Sequence, residues 1–142
     1  MKDYVHKVQY FETDKMAIVH HSNYIRWFEE ARVDWLSQIG CTMESIEAEG
    51  VLIPVMSVTC NYHSMVHFGD SVIVKLKVEK FNGIKIEISY EIVDEKTGEL
   101  RTTGTSTHCF IDREGKLLSL KKSKPEMYRA ICGGSFVSDK EC

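Results

Sequence analysis

The chain has 142 residues, a formal net charge of −3 and a hydrophobic fraction of 43%. This length suits one domain whose core needs no disulfide or metal to hold it together. The slight acidic excess argues against nucleic acid as a partner, and no apolar run approaches the roughly 20 residues that span a bilayer. The first residues also lack the apolar segment of a secretory signal. We therefore expect one cytoplasmic domain over residues 1–142.

The cysteines support the same expectation. They are scattered, and none belongs to a Cys-x-x-Cys pair; the five are Cys41, Cys60, Cys109, Cys132 and Cys142. This pattern favours free thiols in a reducing compartment over a disulfide framework or a zinc site. A nucleophilic cysteine is a minor alternative, because a buried free cysteine usually packs as a small apolar residue.

The first two predicted elements are a strand and a long helix. Residues 4–13 mix β-branched and aromatic side chains with polar neighbours, which predicts a strand. From Asn23 to Ile39 the apolar residues recur every three or four positions, which predicts an amphipathic helix. Its apolar stripe comprises Tyr24, Trp27, Phe28, Ala31, Trp35 and Ile39. We expect Ser22 and Asn23 to cap its start and Gly40 to follow its end.

The remainder of the chain predicts strands. They cover residues 51–66, 72–79, 84–92 and 99–111, and a short helix follows near residues 125–131. Asn82-Gly83 predicts a type I′ hairpin turn, which needs positive φ at both positions. The tail to Cys142 is expected to fray. One strand, one long helix and then four strands in a meander predict an α+β architecture, in which a curved antiparallel sheet of about five strands wraps the helix. A single helix covers one side only, so an exposed edge or face is expected to pair with a second subunit.

Candidate chemistry lies in the connection between the first strand and the helix. Asp14 stands seven residues before His21, at the predicted helix start. Unpaired N–H groups and the positive dipole end of a helix can hold the oxygen of a polarised carbonyl. A carboxylate facing that carbonyl can attack it or activate a water. An aspartate after a strand is more often a turn residue, however, and His21 can equally be a surface residue.

A family resemblance favours the catalytic interpretation. The segment VQYFETDKMAIVHHSNYIRWFEEAR resembles the signature of hot-dog-fold acyl-CoA thioesterases in the 4-hydroxybenzoyl-CoA thioesterase branch, which includes the bacterial Tol–Pal-associated enzymes. The matching residues are Thr13-Asp14, Ile18-Val19, His21, Asn23-Tyr24, Trp27-Phe28 and Glu29-x-x-Arg32. The likeness covers a core of roughly residues 4–120, with about 121–142 as a C-terminal extension.

The resemblance implies a hot-dog fold, hydrolysis of acyl-CoA without a metal or cofactor, and a homodimer or homotetramer with the active site at its interface. It implies that Asp14 is the nucleophile or general base, and that the backbone N–H of His21 polarises the thioester carbonyl. It also implies that the substrate is bound by Val19, His20, Asn23 and Tyr24. An acyl-carrier-protein thioesterase and a non-catalytic acyl-binding module remain alternatives, whereas the motifs of hot-dog hydratases are not recognisable.

Two residues depart from the family pattern. Ala17 stands where glycine is usual, which restricts the loop if positive φ is needed there. His20 stands where an aromatic residue is usual, which predicts a more polar or differently shaped acyl pocket. Both positions lie between Asp14 and His21, so the structure of this loop shows whether it follows the family there.

The two pairs of nearby histidines do not predict a metal site. His63 and His67 lie in a predicted strand and turn, where four residues span about 13 Å. His20 and His21 are neighbours, and neighbouring side chains point apart in regular elements.

Overall fold

The computed structural model of the protein describes residues 2–134. The elements are β1 (Tyr4–Lys7), a 3₁₀ helix (Tyr10–Glu12), α1 (Ser22–Gln38), α2 (Met43–Ala48), β2 (Val55–Tyr62), β3 (Ser71–Phe81), β4 (Lys85–Asp94), β5 (Leu100–Cys109), α3 (Leu120–Ser123) and α4 (Pro125–Cys132). The strands form one antiparallel sheet in the order β1-β3-β4-β5-β2. Helix α1 lies against one face of this sheet, so the α+β prediction is confirmed. Within residues 2–134, no helix is both long and apolar enough to cross a membrane.

The apolar stripe of α1 is buried as predicted. Tyr24, Trp27, Phe28, Ala31 and Trp35 are all buried, and Ile39 packs at the edge of the core. The ring of Phe28 stacks on Tyr90 of β4 with 4.3 Å between centroids. A Cβ atom at Gly104 of β5 would lie only 2.6 Å from the Phe28 ring. Glycine at this position therefore lets the helix approach the sheet.

The predicted meander is wrong for β2. Strands β3, β4 and β5 are consecutive neighbours, but β2 pairs with β5 at the far edge of the sheet. The chain is directed there by Leu52, which exchanges two backbone hydrogen bonds of 2.9 and 3.0 Å with Ile111, just after β5. Residue alternation shows which face of a strand is buried, but it carries no information on which strand lies beside it.

The start of the chain and of the helix also differ from the prediction. Residues 10–12 form a 3₁₀ helix instead of continuing the strand, because the buried Glu12 side chain accepts a 2.7 Å hydrogen bond from the N–H of Gln9. The residue that precedes α1 is His21, which makes no side-chain cap, and Ser22 is already helical. The predicted end is confirmed, since Gly40 follows the helix with a φ of +88°.

Two connections were predicted incorrectly. The turn at Asn82-Gly83 is not type I′, because positive φ occurs at Gly83 and not at Asn82. The Asn82 Oδ1 atom instead accepts the N–H groups of Ile84 and Lys85, at 2.9 and 2.8 Å, and this side-chain turn replaces the expected backbone turn. Helix α2, whose start is capped by Thr42, was not predicted from the sequence.

The C-terminal part packs into the same core. Met127, Tyr128 and Ile131 of α4 are buried with the α1 stripe and the inner face of the sheet. The expected fraying towards Cys142 lies outside the described residues. Three cysteines are free, namely Cys41, Cys60 and Cys109. Cys132 is disulfide-bonded, so the expectation of free thiols is wrong there, because spacing along the sequence does not show which cysteines meet in space.

Candidate active site

A small loop closes between β1 and α1 and carries Asp14. The bridge between Thr13 and Val19 closes residues 14–18 into a loop, which the Ile18–His67 bridge and the 3.1 Å bond from the Phe68 N–H to Ala17 O join to the turn after β2. Inside it, the N–H of Asp14 donates to Ile18 O at 2.8 Å, and the N–H of Ala17 donates to Asp14 O at 3.0 Å. Ala17 has a φ of +60° and is the one non-glycine residue with positive φ among residues 2–134. The position where the family usually has glycine therefore does need positive φ, and here an alanine adopts it.

The carboxylate of Asp14 is held by one oxygen and open at the other. Its Oδ1 atom accepts the backbone N–H groups of Met16 at 2.8 Å and Ile18 at 3.3 Å. The Oδ2 atom accepts no hydrogen bond within the described part of the chain, and the side chain is exposed. The loop thus fixes the orientation of the carboxylate and leaves one oxygen available for chemistry.

The N–H of His21 is available at the start of α1. The neighbouring N–H groups have acceptors: His20 donates to Glu12 O at 2.9 Å, Ser22 to His20 Nδ1 at 3.3 Å, and Asn23 to His20 O at 3.0 Å. The N–H of His21 donates to no group within residues 2–134. It lies at the positive end of the α1 dipole, where a negatively charged oxygen is stabilised.

The two histidine rings lie together, contrary to expectation. The centroids of His20 and His21 are 4.2 Å apart with a tilt of 30°. The prediction that these side chains diverge is wrong because His20 lies in an irregular turn before the helix, where the His20 ring nitrogen Nδ1 hydrogen-bonds Ser22 Oγ at 2.9 Å. Both side chains are exposed and face solvent beside the loop.

Tyr62 is a residue of the site that sequence reasoning missed. Its hydroxyl donates to the carbonyl oxygen of His21 at 3.2 Å, and its ring contacts those of His21 and Tyr24. Partial burial of this half-exposed residue, and to a smaller extent a hydrogen bond with Cys60, raises the pKa of Tyr62 to about 12. The hydroxyl is therefore a proton donor over the whole neutral range. Tyr62 ends β2, and no sequence signal placed that strand end beside α1.

The remaining predicted substrate-binding residues are buried in the single chain. Val19 and Tyr24 belong to the hydrophobic core, and burial raises the pKa of Tyr24. The Asn23 side chain donates through Nδ2 to Glu12 O at 2.8 Å. These contacts join the loop to the helix. Substrate contact by Val19, His20, Asn23 and Tyr24 stays a prediction.

Metal ligands do not gather in the described region. Residues 2–134 contain no group of three or more His, Cys, Asp or Glu side chains arranged to hold an ion. His63 Nε2 hydrogen-bonds Thr103 Oγ1 at 3.0 Å, and His67 lies 3.8 Å from the carboxylate of Asp70.

Comparison with known proteins identifies the family. Residues 8–131 match the Thioesterase-like superfamily. The chain is 34% identical over 125 residues to "Putative acyl-CoA thioesterase YneP" of Bacillus subtilis, covering 87% of this chain and 90% of that protein. It is 30% identical over 126 residues to a protein of Aquifex aeolicus named "Putative esterase", covering 89% and 96%.

Solved structures agree. The crystal structure of a DHNA-CoA thioesterase from Staphylococcus aureus is 34% identical and superposes with a TM-score of 0.86, covering 92% of this chain and 87% of that one. The chain therefore belongs to the thioesterase-like superfamily and has its hot-dog fold, as the resemblance of the loop implied.

Proposed function

We propose that the chain hydrolyses acyl-CoA thioesters to a free carboxylic acid and CoA. The observation that carries the proposal is one short segment that ends at the start of α1 and holds two unpaired groups. These are the Oδ2 atom of Asp14 and the N–H of His21, each without a partner in the described residues. A carboxylate oxygen can act as nucleophile or base in acyl transfer from a thioester, and a helix N-terminal donor can stabilise the oxyanion.

The proposed reaction has two routes that use the same atoms. In the first, Asp14 Oδ2 attacks the carbonyl carbon, the C–S bond breaks, the CoA thiolate leaves and takes up a proton, and water then hydrolyses the mixed anhydride. In the second, Asp14 takes a proton from a water, whose oxygen attacks the carbonyl carbon before the C–S bond breaks. In both routes the N–H of His21 stabilises the negative charge that forms on the carbonyl oxygen.

Substrate contacts around this centre are a further part of the proposal. We propose that Val19, His20, Asn23 and Tyr24 line the substrate site, with His20 the one exposed in the single chain. The names of the relatives include acyl-CoA and 1,4-dihydroxy-2-naphthoyl-CoA hydrolases. Both aliphatic and aromatic acyl groups therefore belong in a substrate test.

The decisive experiment measures thiol release from short-, medium- and long-chain acyl-CoA and from aromatic acyl-CoA including 1,4-dihydroxy-2-naphthoyl-CoA. We expect Asp14→Asn to lower kcat by about a hundredfold or more, because an uncharged NH₂ group replaces the catalytic Oδ2 atom while the amide oxygen still accepts the loop N–H groups. Asp3→Asn, which removes an exposed acid elsewhere, is the matched control. Full activity in Asp14→Asn would contradict the mechanism.

Two alternatives predict different results with the same protein. An acyl-carrier-protein thioesterase would show a higher kcat/KM on a carrier-bound acyl group than on the matched acyl-CoA. A non-catalytic acyl-binding module would bind acyl-CoA without releasing thiol.

We also propose self-association through β2. This strand is one edge of the sheet, and seven of its eight residues are exposed, on both faces, in the described chain. Its side chains include the half-exposed Val55, Met56 and Val58. An exposed apolar edge strand pairs readily with its own copy around a twofold axis. Sedimentation analysis is expected to give a dimer or tetramer, and a monomer at micromolar concentration would contradict the proposal.

A cytoplasmic location is part of the same proposal. The free thiols of Cys41, Cys60 and Cys109 support it, whereas the disulfide at Cys132 is the one cysteine feature of the described residues that does not. Recovery of the native protein outside the cytosolic fraction of its cell would contradict it.

A further inference from the structure

A buried acid, Glu12, lies two residues before Asp14. Its residue is 4% exposed, and its carboxylate is surrounded by donors. Oε1 accepts from the N–H of Gln9 at 2.7 Å and contacts His6 Nε2 at 2.8 Å, and Oε2 accepts from Trp27 Nε1 at 2.7 Å. Burial by itself would raise the pKa of Glu12, but the hydrogen bonds from Gln9, His6 and Trp27 outweigh it and hold the pKa below its usual value. The side chain is therefore a carboxylate at neutral pH.

The main chain of Glu12 reaches the other side of the active loop. Its carbonyl oxygen accepts the N–H of His20 at 2.9 Å and the side-chain Nδ2 of Asn23 at 2.8 Å. Asn23 and Trp27 are four residues apart, so they lie on one face of α1, one turn from each other. Glu12 thus contacts α1 at two successive turns, through its carbonyl and through its carboxylate.

These bonds fix both ends of the loop at one residue. Asp14 is two positions after Glu12, and His21 directly follows the residue whose N–H bonds to Glu12 O. A rotation of α1 against the 3₁₀ helix would break the Trp27 bond and the Asn23 bond together. We infer that Glu12 is a positioning residue, which sets the placement of the Asp14 carboxylate relative to the N–H of His21. This inference rests on the proposed function and deepens it.

Glutamine is the informative substitution. It keeps the size of the side chain but has one acceptor oxygen and one amide donor, whereas the Gln9 N–H and the Trp27 Nε1–H both need an acceptor. One of these donors must face the new NH₂ group in Glu12→Gln, so the loop or the helix must shift. Because a displacement of about 1 Å at a reacting group can cost a hundredfold in rate, kcat should fall by roughly tenfold or more. KM should stay within about twofold, since Glu12 is buried below the loop.

A matched control separates positioning from general destabilisation. Tyr90→Phe also removes a buried polar group under α1, one that bonds to Arg32 and Ser106 away from the loop. Both variants should lose stability, but Tyr90→Phe should keep kcat when measured well below its unfolding temperature. Hydrogen exchange of the peptide spanning residues 13–22 should speed up in Glu12→Gln and not in Tyr90→Phe. If Glu12→Gln fails to fold, Trp27→Phe removes one of the same bonds and should lower kcat by about threefold or more.

The outcomes are distinguishable. A folded Glu12→Gln protein with kcat within twofold of wild type would overturn the inference, and so would an equal loss of kcat in Tyr90→Phe. If Trp27→Phe has to be used, unchanged kcat overturns it as well. An active Asp14→Asn protein would instead overturn the proposed mechanism. An inactive Asp14→Asn protein beside a fully active Glu12→Gln protein would remove this inference alone.

Discussion

Replacing Ala17 by glycine, which removes one methyl group, tests whether the backbone of the loop is strained. The φ of +60° at Ala17 is unfavourable for an L-residue by about 1 kcal/mol or slightly more. Glycine adopts this conformation freely, but its greater conformational freedom also stabilises the unfolded chain by about 0.4–1 kcal/mol. The two effects leave Ala17→Gly more stable by about 0.5 kcal/mol, which corresponds to a Tm increase of about 2 °C for a chain of this size.

The assay combines calorimetry with steady-state kinetics. Ala48→Gly is the matched control, because Ala48 is exposed near the end of α2 and has ordinary helical geometry. There the same substitution should destabilise the protein by about 0.5 kcal/mol, since no strain is relieved. Ala17→Gly should keep kcat within about twofold, because Asp14 and Ile18 retain their backbone bonds. Equal destabilisation in both variants would refute the positive φ at Ala17 as a source of strain.

The remaining predictions concern packing and pH. Gly104→Ala should lower the free energy of unfolding in urea by about 2 kcal/mol, because its Cβ would overlap the backbone of Thr59 and the Phe28 ring; an unchanged unfolding midpoint would contradict the close approach. Burial and the nearby Arg32 charge lower the pKa of His108 to about 4. Between about pH 6.5 and 4 this histidine is protonated in the unfolded chain but not in the folded one. The free energy of unfolding of the wild type should therefore fall by up to about 3 kcal/mol as the pH falls through this window. His108→Gln should lose correspondingly less across the same range, and parallel stability curves from pH 7 to pH 4.5 would count against the buried neutral histidine.

Much of the fold followed from residue periodicity. The stripe from Tyr24 to Trp35 and the alternation in β3 and β4 require an apolar partner surface, whatever the rest of the chain does, because 3.6-residue and two-residue periods bring apolar side chains to one face. The place of β2 could not be obtained in this way. It depends on long-range backbone bonds between Leu52 and Ile111, which local pattern does not encode.

The candidate site likewise contains residues that the sequence predicted and one that it did not. Asp14 and His21 were predicted from the likeness of their loop to a thioesterase signature, because spacing alone favoured a turn residue at Asp14. The sequence also marked Ala17 and His20 as unusual residues. Tyr62 was not predictable, because it reaches His21 only when the far edge strand ends beside the helix.

The sequence by itself determined the amphipathic helix, the strands and the residue types of the loop, since these depend on neighbours within a few positions. Only the tertiary structure decided which of those residues keep a hydrogen-bonding atom without a partner in the described part of the chain. At the start of α1, the N–H of His21 has no acceptor in the described residues and can bind a substrate oxygen. The N–H groups of His20, Ser22 and Asn23 already have acceptors. The sequence predicts Glu12 as one more polar residue of a strand. It is instead a buried carboxylate in a 3₁₀ helix, because Trp27 of α1 and His6 of β1 bring their ring nitrogens to it. Hydrogen-bond partners distant in the chain, which no local pattern records, therefore turn a recognisable loop into a defined arrangement of groups.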